Sequence, residues 1–221
     1  MGNWWSVSVQ FFNDGGFFMW PLLACAVVGL FIIVWKFMSL TSTSSKTHQL
    51  LQDVDALIAN HRLEEAKARC RESDTPVAQI LLAGLEKHDE GTERVLSAIE
   101  NEGMIQMSRL EQGLVWLATI ANVAPLLGFL GTVAGMIIAF GAIELAGEVD
   151  ATLVAGGIKV ALITTAAGLT IAIPVNVAHN YFVSKIDGLV IEMEETSQNL
   201  VETLHDIERK PAAAPAPAQR A

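Results

Sequence analysis

The strongest constraint on this chain lies between Gln112 and Ser184, where two long apolar segments are joined by a short acidic loop. No charged residue occurs from Gln112 to Ile143, and the second segment carries a single lysine, Lys159. A helix crosses the ~30 Å hydrocarbon core of a bilayer with about 20 residues. Both segments are long enough, and the 32 residues of the first would make a helix of about 48 Å. Such a helix must tilt or project into water. Ionisable and hydroxyl groups are costly inside a membrane helix, and they mark ion paths or docking sites. Lys159 and the pair Thr164-Thr165 therefore stand out.

A third apolar run, Phe17 to Trp35, is free of charge for 19 residues. No Lys or Arg precedes it, it exceeds a signal-peptide core, and no small-residue cleavage site follows. It reads as a retained transmembrane helix. With 52% hydrophobic and 17% charged residues, the chain is too apolar for an ordinary soluble domain. Its net charge of −10 argues against nucleic-acid binding. The expected fold is an all-α membrane protein with three spans, at 17–38, 112–143 and 153–183, and long helical extensions that carry the second and third spans out of the membrane on the cytoplasmic side. Around them lie an N-terminal segment (1–16), a helical domain (39–111), the acidic loop (144–152), a further helix (184–210) and a Pro/Ala tail (211–221) that is expected to be disordered.

Lys and Arg set the orientation. None precedes the first span and none lies in 144–152, whereas Ser39–Glu111 has eight and the stretch from Ser184 has four. The N-terminus and the acidic loop are thus expected outside, and the helical domain and C-terminus in the cytoplasm. Trp4, Trp5, Trp20 and Trp35 suit interfacial anchors. Cys25 and Cys70 fall in unlike surroundings and are not expected to pair.

In the helical domain, Leu50, Leu51, Val54, Leu57 and Ile58 share one face, and Pro76 opens a helix after Asp74-Thr75. Gly91 is expected to end that helix and Thr92 to cap the next. From Leu96 to Leu117 the apolar positions keep a 3-and-4 spacing, which predicts one continuous helix of about 50 residues running from Thr92 into the second span. His48, His61, His88 and His205 are scattered and read as surface residues, so neither a metal site nor a cofactor is expected.

In the second span Gly131 and Gly135 form a GxxxG pair, with Gly128 adjoining. Small residues let helix backbones approach closely in lipid, so these glycines read as packing positions. Pro125 removes a backbone hydrogen bond and should kink the helix. Thr132 could line a pore or bond its own backbone. In the third span Thr165 shares a face with Ala161, Gly168, Leu169 and Ala172. Lys159 either reaches out to headgroups or meets a carboxylate, such as one on a partner chain. No Asp or Glu lies within the spans, so any ion path needs an acid from another polypeptide. The spans hold no paired aspartates, Ser-His pair or HExxH, so an enzyme is not expected.

These residues resemble the ExbB/TolQ/MotA proton-channel family. The likeness rests on Gly15–Pro21 (GGFFMWP), Leu117–Val133 (LATIANVAPLLGFLGTV), Gly157–Leu169 (GIKVALITTAAGL) and Ile171–Pro174 (IAIP). Three spans fit the ExbB/TolQ branch. The resemblance implies a homopentamer around a dimer of a single-span ExbD/TolR-like partner that carries a membrane aspartate. It also implies use of the proton motive force, through a TonB-like envelope protein, for a process such as outer-membrane transport. By motif position Thr132 and Thr165, with neighbouring Thr164, would line the path. Many ExbB/TolQ members have a glutamate where this chain has Val160. The alternatives are a non-conducting membrane scaffold, or a stator-like motor for envelope integrity or motility that could use Na+.

Overall fold

The computed structural model describes residues 4–59, 62–147 and 151–209. Seven α-helices account for nearly all of them: α1 (Trp4–Asp14), α2 (Met19–Ala59), α3 (Leu63–Arg71), α4 (Pro76–Glu86), α5 (Thr92–Glu111), α6 (Leu114–Ala146) and α7 (Ala151–Arg209). There is no strand among the described residues. Helices within Met19–Thr41, Thr92–Ala146 and Val154–Thr203 are long and apolar enough to cross a membrane. The chain is an all-α, multi-pass membrane protein. The tail 211–221 and positions 148–150 of the acidic loop lie outside the described residues.

The chain divides into two units, Met1–Phe37 with Gly113–Val183, and Met38–Gln112 with Ser184–Ala221. Helices α2 and α7 belong to both. The second unit has an ordinary core of large side chains. Val54, Val77, Leu81 and Leu85 are at most 2% exposed, and Gly84 of α4 sits against Leu200 of α7 and Ile99 of α5. Helix α4 starts as the sequence predicts: Pro76 is its first residue, and the Thr75 hydroxyl accepts the Ala78 amide at 3.4 Å. Leu50, Val54 and Ile58 are buried on the α2 face that their spacing marks out. Arg69 bridges to Asp53 at 2.6 Å and Arg71 to Glu86 at 2.7 Å, but such exposed pairs add little stability.

Two local expectations need correction. Helix α4 ends at Glu86 and a 3₁₀ turn, His88–Glu90, follows it; Gly91, at φ 93°, then occupies the cap position of α5, and no side chain of Thr92 caps. The continuous helix expected from Thr92 is broken at Gln112-Gly113. Gly113 adopts φ 91°, a left-handed conformation that stops a helix and that glycine reaches at no steric cost. Leu110, Leu114 and Leu117 are nonetheless all buried, so the apolar spacing survives a break that it does not reveal. Helix α7 is one helix of 59 residues, which carries the helical stripe expected beyond the third span. The N-terminal segment also holds a helix, α1, that the charge pattern did not indicate.

Candidate functional site: a hydroxyl-bearing flank beside a glycine seam

Within the first unit, α6 and α7 touch backbone to backbone. The contact residues on α6 are Ala124, Gly128, Gly131, Gly135 and Ala139, and those on α7 are Gly157, Ala161, Thr164, Gly168 and Ala172; all ten are buried. Both sets follow the same 4-3-4-4 spacing, which keeps one stripe of a helix in register. A Cβ built on Gly168 would lie 2.6 Å from the Ala124 carbonyl, and one on Gly135 would lie 2.8 Å from the Gly157 carbonyl. No side chain fits at these positions. Gly128, Gly131 and Gly135 are thus placed at the packing positions assigned from sequence. Pro125 lies beside the seam, half-buried, and α6 runs through it without a break in helix.

The three threonines separate. Thr164 is 0% exposed; it fills the notch left by Gly131, and its hydroxyl donates to the Val160 and Ala161 carbonyls at 3.1 and 3.0 Å. It lies inside the protomer's own packing. Thr132 and Thr165 are half-buried. The Thr132 hydroxyl donates to the Phe129 carbonyl at 2.6 Å. The Thr165 hydroxyl donates to Ala161 at 3.2 Å and, across the seam, to the Gly128 carbonyl at 3.4 Å.

The sides on which these two residues lie follow from helix geometry. Each is one position, about 100° of turn, past a seam residue: Thr132 after Gly131, and Thr165 after Thr164. The helices are antiparallel, since Ala124 meets Gly168 and Ala139 meets Gly157. A forward step along either helix therefore turns to the same side of the seam. Because Gly131 faces Thr164, the two hydroxyls also share one depth. Helix α2 covers the opposite flank: Gly29 sits against Val175 and Ile120, and Leu22 packs with Ala124 and Ala172. The threonine flank is the one that this chain's own first span does not cover.

Lys159 belongs elsewhere. Six residues before Thr165, it points about 120° away around α7. Its Nζ lies 2.6 Å from Oδ2 of Asp14, the last residue of α1. The turn at Gly15, which carries Asp14, also meets Ile163, one turn further along α7. The carboxylate that Lys159 requires thus comes from its own chain, just outside the spans, rather than from a partner. Sequence reasoning passed over Asp14 because it looked only within the apolar segments.

It also overlooked two titratable residues. Lys36, in the first span, is 4% exposed and lies 5.9 Å from the ring centroid of Trp35. His179, on α7, is half-buried in a segment otherwise nearly free of ionisable groups. A search for charge alone misses an imidazole. Cys70 carries no reactive chemistry, since burial pushes its thiol up to about 11.

The geometry is that of a multi-pass membrane protein with two hydroxyls beside a tight helix pair. The family model of the MotA/TolQ/ExbB proton channel family matches residues 72–195. A putative biopolymer transport protein ExbB homolog of Methanothermobacter thermautotrophicus is 30% identical over 193 residues, covering 87% of this chain and 68% of that protein. The Tol-Pal system protein TolQ of Haemophilus influenzae is 34% identical over 128 residues, 58% of this chain and 53% of its own length. The biopolymer transport protein ExbB of Xanthomonas campestris pv. campestris is 40% identical over 101 residues, 46% of this chain and 38% of that protein. The chain belongs to the MotA/TolQ/ExbB proton channel family, and its relatives place it on the ExbB/TolQ branch.

Proposed function

We propose that this chain forms the multi-copy wall of a proton-driven motor in the bacterial inner membrane, and that it is not an enzyme. Five copies would surround a dimer of a single-span ExbD/TolR-like subunit. The N-terminus would lie in the periplasm, and α3–α5 with the end of α7 in the cytoplasm. The energy would pass through a TonB-like protein to an envelope process such as outer-membrane transport. The observation that carries this reading is the placement of Thr132 and Thr165 at one depth, on the flank that the chain's own first span leaves uncovered.

That flank has hydroxyls but no acid, because α6 is free of ionisable residues from Leu114 to Ile143 and Val160 stands near Lys159 on α7. Hydroxyls can hand a proton on only if a titratable group brings it. The partner's carboxylate would do so, with Thr132 and Thr165 stabilising it as it passes. One charge crossing 100 mV releases about 2.3 kcal/mol, enough to bias a step between nearly equivalent positions around the ring.

The test is proton uptake into liposomes holding the chain with a co-purified, carboxylate-bearing, single-span partner. Losing hydroxyl hydrogen bonds worth about 1–1.5 kcal/mol should make the Thr132→Ala/Thr165→Ala double variant about tenfold slower than wild type. Equal uptake by the two proteins would remove the site, and no uptake by either would leave a scaffold.

A further inference from the structure

We propose that His179, held by Asn180 and Asn176, is a proton-carrying group of the same path, at the end of the span from which α7 runs on into the second unit. The inference rests on the channel reading above and adds a titratable residue from this chain to it.

Position comes first. Asn176 is 11 residues beyond Thr165, which places it about 16 Å further along α7 and within about 20° of the same direction. His179 and Asn180 fall about 40° and 60° to either side of that line. Asn176 and Asn180 thus continue the threonine flank, and His179 stands at its edge, about 40° from Val175, which meets Gly29 of α2 and is buried with Phe182.

The cost of exposure comes second. Asn176 and Asn180 are exposed and His179 is half-exposed. Facing lipid, amides and an imidazole lose their water without compensation, at several kcal/mol per group. Three such groups within about one turn, all on one side, mean that this side meets water or another polypeptide.

The third element is hydrogen-bond geometry. The Asn180 amide nitrogen donates to Asn176 Oδ1 at 3.2 Å, and its oxygen lies 3.3 Å from His179 Nδ1. A carbonyl oxygen there favours the tautomer with hydrogen on Nδ1, so Nε2 keeps its lone pair. Nε2 can then take a proton arriving along the flank, and the imidazolium can release it to water. The ring ends neutral, and no other reactant is consumed. Helix α6 brings no ionisable group from Leu114 to Ile143, α2 brings the buried Lys36, one heptad past the Gly29 that meets Val175, and the thiol of Cys25, and on α7 the neighbour Tyr181 points to another side. Lys159 is 20 residues back, while Lys185 and Asp187 lie six and eight residues on.

The experiment uses the chain with its co-purified partner in liposomes, with assembly checked by mass. His179→Gln keeps hydrogen bonding but cannot carry a proton, and it should slow uptake about tenfold or more without loss of assembly. His179→Ala should be equally slow and should recover when free imidazole is added. Wild-type uptake by His179→Gln, beside a slow Thr132→Ala/Thr165→Ala variant, would overturn the role of His179 and leave the channel standing. A slow His179→Ala that imidazole does not restore would also overturn it, by showing the residue to be structural. No uptake by wild type would overturn the channel reading and this inference together.

Discussion

The two units are held together by opposite means. In the second, large side chains such as Leu81, Leu85 and Val77 leave water, and the hydrophobic effect supplies the stability. In the first, the α6–α7 contact has almost no side chains in it. Lipid tails are as apolar as leucine, so removing a leucine from lipid gains little; closely matched backbones and dispersion must supply the contact instead. Glycine therefore faces backbone along the seam, whereas in the second unit Gly84 faces the side chains of Leu200 and Ile99 and Gly103 faces nothing within 4 Å.

The largest expected effect tests the water-driven half of that contrast. Leu81 is 1% exposed, and Leu81→Ala should cost about 2–5 kcal/mol through lost burial and the cavity left behind. Denaturation of purified protein, followed by helical circular dichroism, would report it as an early unfolding phase. Next comes the seam. Gly135→Ala places a methyl 2.8 Å from the backbone carbonyl of Gly157, which cannot move aside as a side chain can. A cost of about 1–3 kcal/mol is expected. Gly103, inside α5, would meet nothing within 4 Å, so Gly103→Ala should stabilise by up to about 1 kcal/mol through helix propensity. The same substitution should thus change sign between Gly135 and Gly103, and thermal melts in detergent would show it. Equal effects would dissolve the contrast.

How much of this could be read from sequence depended on scale. The three spans follow from runs of apolar residues that nothing but lipid or a core could accept, and the glycine stripe follows from its spacing. The break at Gly113 was hidden because Leu110, Leu114 and Leu117 keep helical spacing across it, and periodicity does not register one left-handed residue. The separation of Thr164 from Thr165 was equally hidden. Adjacent residues differ by about 100°, and only the location of Gly131 decides which of the two faces inward. Asp14 lies far from Lys159 in sequence, so the pair needed the fold.

That pair gives the smallest expected effect and sharpens the contrast at its edge. The side chains of Lys159 and Asp14 are 54% and 30% exposed, so the pair belongs with surface ion pairs, worth about 0–1 kcal/mol, and not with the seam. Asp14→Asn should therefore shift the melting of the first unit little. Its consequence is local: Lys159 loses the Asp14 carboxylate, and the turn at Gly15 keeps its contact with Ile163. Cleavage by protease near Asp14 should become faster, and the double variant Asp14→Lys/Lys159→Asp should restore the slow rate. If the exchanged pair cleaves as fast as Asp14→Asn, the attraction between opposite charges does not hold the turn, and packing, at Ile163 and between the Phe12 and Trp20 rings, is what anchors α1.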